Sequence, residues 1–264
     1  MIKISTWNVN SIKARLENLL NWLVQERPDI VLLQELKCVT EAFPYQMIED
    51  LGYNIAVNGQ KTYNGVAILS KYPLTDSITT FENNPVPDEA RYIEALVNFN
   101  NCAITVASVY VPNGQALDSE KYSIKLEFLK YLAEHYRKLL TNPEIIVVGG
   151  DFNVALNKID VYDADKLDET ILFSSQERKS LRQFMSVGLI DSYRMHHPEE
   201  KDDCYTWWDY RGNSFGLNNG MRIDYLFCSP EAAQINISSF VSKECRSKFK
   251  PSDHIPVNLI LDLK

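Results

Sequence analysis

The segment KPSDHIPVNL, residues 250–259, sets Asp253 beside His254 between Pro251 and Pro256. Aspartate is a poor strand former and proline cannot donate to a ladder, so the pair is expected in a tight loop ahead of a last strand over 255–261. Loops of this kind are where a rigid scaffold presents chemistry. Side chains that could work with it close other strand-like runs: Asn8, Glu35, Tyr110, Asp151 and Asn153, with Asp224 inside RIDYLF. One polar residue at a strand end is usually a turn. A series of them at successive ends points to a shared rim, the place where open α/β sheets gather their sites.

Asn8, Glu35 and Asp253 are oxygen ligands, and Asp151 and Asn153 add two more at i and i+2. Carboxylates and amides with a single histidine form a hard donor set that suits Mg²⁺ or Mn²⁺, ions that keep several waters and bind substrate phosphates. Such an ion neutralises charge as a leaving oxygen departs. Asp151, if free of metal, could take a proton from water. His254 could donate to a phosphate oxygen, with Asp224 fixing its tautomer. Tyr110 could stabilise a leaving oxygen, and Gly149 and Gly150 would let the backbone turn sharply before Asp151. Each residue also has an ordinary reading. Asn8 could border a helix start, Glu35 and Asp224 could partner a buried arginine such as Arg222, and Tyr110 could be a core aromatic.

The elements that must position these groups follow from periodicity. Strands are expected at 2–7, 29–35, 65–70, 92–99, 102–110, 144–151, 221–229 and 255–261, several of them apolar enough to be buried on both faces. Helical spacing of Ile12, Leu16, Leu19, Leu20 and Leu23 predicts a helix over 11–26, capped by Asn10 or Ser11. A long amphipathic helix is expected over 117–140. Another should open at 174–188, where Ser174 and Glu177 have capping-box spacing. Interleaved strands and helices mean an α/β fold.

The 264 residues, 45% hydrophobic and 23% charged, contain no linker, repeat or low-complexity tract, so one domain over 1–264 is expected. No apolar stretch approaches the roughly 20 residues that span a bilayer, and no basic segment with an apolar core opens the chain, so neither a membrane nor export is expected. Five scattered cysteines without a C-x-x-C pair read as free thiols in a reducing cytosol, neither zinc ligands nor a disulfide framework. The net charge of −8 argues against a polyanionic partner, yet KECRSKFK at 243–250 holds four basic residues and one acidic, and leads into the SDH loop. That stretch is either a solvated loop or a patch that steers phosphates.

The motifs WNVNSIKARL, LLQELK, YVPNG, GGDFNVA, GMRIDY and PSDHIPV, in this order and covering Ile2 to Leu261, resemble the exonuclease III / AP endonuclease family of the endonuclease–exonuclease–phosphatase superfamily. The spacer from NKIDVYDADKL to FSSQERKSLRQFMSVGLIDSYR is similar to that of bacterial exonuclease III proteins. The resemblance implies a four-layered α/β sandwich, two mixed sheets face to face with helices outside. It implies a Mg²⁺-dependent (Mn²⁺ as the alternative) phosphodiesterase acting on double-stranded DNA at abasic sites and 3′ ends; a monomer is the default expectation, in the cytoplasm and working at the nucleoid. By motif, Glu35 would be the principal metal ligand with Asn8 and Asp253. Asp151 would activate water and Asn153 would orient it, while a second metal at Asp151, Asn153 and His254 is proposed for some relatives. Tyr110 and Asn113 would touch the scissile phosphate, and Asp224 would orient His254.

Substrate choice in this family rests on the block YTWWDYRGNSFGLNNGMRID, where an apolar pocket accepts a baseless sugar. Trp207, Met221 and Ile223 would be its walls and Arg222 a neighbouring substrate contact. Most relatives carry tryptophan where this chain has Met221, a more flexible side chain. Two other readings compete: a phosphoesterase of the same superfamily for RNA, an inositol phosphate or a lipid headgroup, and a non-catalytic nucleic-acid-binding relative.

Overall fold

A computed structural model describes residues 1–99 and 102–263. Among these residues the strands are β1 (Ile2–Asn8), β2 (Ile30–Gln34), β3 (Asn54–Asn58), β4 (Val66–Ser70), β5 (Leu74–Ile78), β6 (Tyr92–Phe99), β7 (Cys102–Tyr110), β8 (Ile145–Asp151), β9 (Ile190–Asp191), β10 (Asp224–Cys228), β11 (Asn236–Val241) and β12 (Val257–Leu261). The helices are α1 (Leu16–Glu26), α2 (Tyr45–Glu49), α3 (Glu120–Leu139), α4 (Ala164–Leu167), α5 (Ser175–Met185), α6 (Ser192–His196) and α7 (Pro230–Gln234). Two six-stranded mixed sheets form, in the orders β11-β12-β1-β2-β4-β3 and β5-β6-β7-β8-β10-β9.

The apolar alternation of the strands fixes how the sheets pack. Ile2, Ile4, Ile30, Leu32 and Ile68 of the first sheet meet Ile93, Val97, Val106, Val147 and Leu226 of the second in one buried core. Residues of opposite parity face outward: Trp7, Val31 and Leu33 pack under α1 with Leu19, Trp22 and Leu23. Val109, Val148 and Phe152 pack with Phe128 and Leu132 of α3 and Phe184 of α5. The result is the expected four-layer sandwich of helix, sheet, sheet and helix. Near one end, Gln34 crosses between the sheets: its Nε2 donates to Ser108 Oγ (2.9 Å) and Thr6 Oγ1 (3.0 Å).

Several boundaries move. The first helix starts at Leu16, because residues 11–15 form turns, with Asn10 and Ser11 at positive φ of 44° and 88°. The expected cap on the second long helix is present. Ser174 and Glu177 exchange both bonds of a capping box at the start of α5, which ends at Met185. The strand expected over 221–229 shortens to β10, and Met221 makes only isolated bridges to Val161 and Trp207. The last strand begins at Val257, after Pro256. All five cysteines are free thiols. No helix among the described residues is long and apolar enough to cross a membrane.

Gly149 and Gly150 do not form a turn. They lie inside β8, and the demand for glycine is steric. A Cβ on Gly150 would lie 1.8 Å from the Val109 carbonyl oxygen, and one on Gly149 would lie 2.5 Å from Leu226 Cδ2 and 2.8 Å from Leu32 Cδ1. Overpacking that displaces backbone costs about 1–3 kcal/mol and occasionally more. With a backbone oxygen in the way, Gly150→Ala is expected at the upper end, lowering the unfolding free energy by about 3 kcal/mol in urea titration, with the loss read from the midpoint at unchanged slope.

Candidate active site

Strand register assembles the site. In the second sheet, β7 pairs with β8 and β8 with β10 so that Tyr110, Asp151 and Asp224 fall in one row. In the first sheet Asn8 pairs with Gln34, and Glu35 follows one residue on. Antiparallel pairing of β1 with β12 brings the SDH loop to the same end. There Ser252 Oγ donates to the Asn8 carbonyl (2.7 Å), and Trp7 Nε1 donates to the His254 carbonyl (3.1 Å).

The side chains converge. Asn8 is fully buried, and its Nδ2 donates to Glu35 Oε1 (2.8 Å) and to Asp151 Oδ2 (2.9 Å), joining the two sheets through one amide. His254 Nδ1 lies 2.9 Å from Asp224 Oδ2, and the opposite ring nitrogen, Nε2, lies 3.8 Å from Asp151 Oδ2. Glu35, Asp151 and His254 each offer one ligand atom within 4.8 Å of the others. Asp253 is held at the rim, accepting from Asn10 Nδ2 (2.9 Å) and Trp207 Nε1 (3.1 Å). Asn153 takes the left-handed backbone (φ 51°), with Nδ2 donating to the Val111 carbonyl (3.0 Å) and Oδ1 accepting from Asn113 Nδ2 (3.2 Å). Glu35 is also left-handed, φ 52°. Non-glycine residues in that region cluster where the surroundings over-determine them, as functional sites do.

Electrostatics follow from this crowding. Burial, then the nearby charges of Asp224 and Glu35, raise Asp151 to about 7, against the pull of His254 and the Asn8 amide. Burial alone would lower His254, but the carboxylates of Asp224 and Asp151 outweigh it and raise the imidazole to about 10. Tyr110 is held well above the ordinary phenol range by burial and by the charges of Glu35 and Asp151, so it remains a donor. The Arg91 guanidinium lies 4.8 Å from the centre of the Tyr110 ring. Buried carboxylates in excess of nearby cations, offering oxygen ligands and one imidazole without a thiolate, fit a hard divalent cation.

Beside this cluster lies a groove of about 520 Å³ lined by Trp207, Met221, Leu172, Ile171 and Tyr162, with Asn113 at its edge toward Asn153. Ile223 is not on its surface. It is buried, packing behind Met221 and Phe173. Arg222 also departs from expectation. Its side chain is buried, with Nε 2.7 Å from Asp160 and an Nη atom 2.8 Å from Asp191, and its guanidinium stacks on Tyr225 at 4.5 Å. It is a structural cation, unavailable to a substrate, and it leaves Glu35 and Asp224 to the site.

Four contributors lay outside the sequence reading. Asn10 ties Asp253, and Lys37 Nζ pairs with Glu35 (2.8 Å). Lys125 is buried in α3, where its ammonium donates to the carbonyls of Asn113 (3.0 Å) and Asn153 (2.7 Å) and pairs with Glu177. Lys125 occupies an apolar-stripe position, three residues from both Tyr122 and Phe128, which was the available signal. The fourth is the 162–172 wall of the groove, whose irregular path carried no periodicity.

A model of the endonuclease/exonuclease/phosphatase family matches residues 5–254. The chain belongs to this family. Among its relatives, exodeoxyribonuclease III of Haemophilus influenzae is 30% identical over 263 residues, covering 97% of this chain and 98% of that one. A Neisseria 3′ phosphatase solved with a product DNA hairpin superposes with a TM-score of 0.94 at 39% identity, each chain fully covered. An AP endonuclease from Archaeoglobus fulgidus does so at 0.93 and 34%, again over both whole chains. The family's sandwich is the fold described above.

Removing the partner that orients a ligand or site histidine costs about 10–100-fold in activity. Asp224→Asn is expected to lower turnover by that range with folding intact. In the metal-free protein, ¹⁵N NMR should find His254 doubly protonated at pH 8 in the wild type, and titrating at lower pH in Asp224→Asn.

Proposed function

We propose that the protein is a divalent-metal-dependent DNA-repair nuclease that hydrolyses phosphodiesters 5′ to abasic sites and trims 3′ ends as a 3′–5′ exonuclease and 3′-phosphodiesterase or phosphatase. The observation that carries this reading is the Glu35, Asp151 and His254 cluster beside an apolar groove with Trp207 and Met221 on its wall. The kinship with exodeoxyribonuclease III, a 3′ phosphatase and an AP endonuclease supports the same reading. We take the metal to be Mg²⁺, with Mn²⁺ as a substitute, and the working form to be a single-domain cytoplasmic monomer.

Glu35, Asn8 and Asp253 would hold the cation, which when bound would polarise a phosphoryl oxygen and neutralise developing charge. Asp151, poised near neutrality, accepts the proton of the attacking water, which Asn153 orients. His254 is locked by Asp224 with Nε2 toward the site, and donates to a non-bridging phosphate oxygen. Tyr110, a protonated phenol, donates to the leaving or scissile oxygens with Asn113 beside it. The groove admits a sugar without its base, and flipping costs least where the base is already missing.

The test is cleavage of a labelled duplex with one abasic-site analogue beside an undamaged duplex, in Mg²⁺ and in EDTA. Metal-dependent incision at the analogue is expected. Shortening from 3′ ends without incision would restrict the function to end trimming. Inertness toward both, with turnover of RNA or an inositol phosphate, would overturn the proposal. Asp151→Asn should abolish cleavage while the affinity for DNA in EDTA holds, and near wild-type cleavage would remove Asp151 from the role of base.

A further inference from the structure

Besides the Trp207 groove there is a second one, of about 560 Å³, along α1 and lined by Lys13, Glu17, Met47, Phe249 and Lys250 among others. No residue placed in the chemistry above belongs to it. Phe249 projects at its rim with 81% of its surface in water, and Met47 is 49% exposed. A phenyl ring that bare is costly to maintain in water, and its backbone does not wave free. Asn18 Nδ2 donates to the carbonyls of Phe249 (3.0 Å) and Lys250 (3.4 Å), and Lys250 takes a left-handed φ of 46°. The Lys250 ammonium lies 5.3 Å from the Phe249 ring centre.

The charges around the ring select its occupant. Of the basic stretch 243–250, Lys243 pairs with Asp203 and Arg246 stacks on Tyr210 and Phe215. Lys248 and Lys250 remain exposed, and Lys13, also exposed, lines the groove with Lys250, against Glu17 as the acid in the lining. In a chain of net charge −8, this is a local cationic rim around an exposed aromatic. An aromatic platform flanked by cations is the recognition chemistry of unpaired nucleic acid, a base stacking on the ring and its phosphates meeting the ammonium groups. Hydrogen bonds tie the end of this groove to the rim of the candidate active site through Arg15, which stands between the lining residues Ala14 and Leu16. Arg15 donates to the Asn10 carbonyl (2.7 Å), Tyr210 Oη (2.8 Å) and the Pro251 carbonyl, and Asn10 in turn holds Asp253.

We propose that the α1–Phe249 groove is a second nucleic-acid subsite that stacks an unpaired base of single-stranded DNA adjoining the duplex in the active site. The proposal rests on the nuclease reading. It makes Phe249 a determinant of preference for recessed or frayed ends over blunt duplex.

The test is fluorescence anisotropy in EDTA with two labelled probes, a duplex carrying a 5′ single-stranded overhang and a blunt duplex of equal length. The proteins are wild type, F249A, F249L and F249W, and cleavage by the wild type in Mg²⁺ is measured in parallel. F249A and F249L are expected to lose about tenfold in affinity for the overhang relative to the blunt probe, as loss of one base–aromatic stack requires. F249W should hold the wild-type ratio. Because Phe249 is exposed, these variants fold. An unchanged ratio in F249A, or wild-type behaviour of F249L, would overturn the subsite while metal-dependent cleavage by the wild type left the nuclease reading standing. A wild type that neither bound nor cut either probe would overturn both.

Discussion

One amide holds the site together. Asn8 Nδ2 donates simultaneously to Glu35, at the end of the first sheet, and to Asp151, at the end of the second. Two carboxylates that close would otherwise repel, and a neutral donor between them relieves only part of that repulsion. Burial first, and then the charges of Asp224 and Glu35, raise the proton affinity of Asp151, while the carboxylates of Asp224 and Asp151 hold His254 as an imidazolium between them. The site is electrostatically incomplete in a manner that a hard divalent cation completes.

That constraint explains why so much of the fold serves one rim. The sheets must stack closely enough for a single side chain to bridge them, which Gly149 permits and the Gln34–Ser108–Thr6 network maintains. Behind the rim, the Lys125 ammonium fastens the Asn113 and Asn153 backbones to the capping box of α5. A buried cation paired and fully bonded in this way is strongly destabilising to break. It therefore fixes the loops of Asn113 and Asn153 and the start of α5 as one unit. Arg222 does comparable work with Asp160 and Asp191.

The legible and illegible parts of the sequence divide along physical lines. Every central strand was visible, because burial on two faces writes a continuous apolar run. The strands without such a signal are β3, β5, β9 and β11, and they are the four edges of the two sheets. NIAVN, LTDSI and NISSFV interrupt their apolar residues with polar ones and are largely part-exposed, as strands at a sheet edge are, so no continuous apolar run marks them. The polar strand ends were readable as candidates, but their assignment to roles came from family resemblance. Arg222 stands beside Met221 in GMRID but its side chain does not lie beside it in space, so it is not the substrate contact expected. Side chains alternate along an extended chain, so Met221 and Ile223 turn into the buried cluster behind the groove, where Met221 alone of the two reaches its surface, while Arg222 turns to Tyr225. Lys125 was hidden by its type, since a lysine in a helix reads as solvated unless its place on the apolar stripe is weighed.

The central claim is that this constellation is charged to hold a divalent cation through Glu35 and to give up a proton from Asp151 as it does so. Calorimetric titration of the metal-free protein with Mg²⁺ at pH 7, in two buffers of different ionisation enthalpy, tests it directly. Saturable binding with net proton release is expected in the wild type, and a more than tenfold weaker affinity in Glu35→Gln. Absence of Mg²⁺ binding, or binding that Glu35→Gln leaves unchanged, would contradict the account.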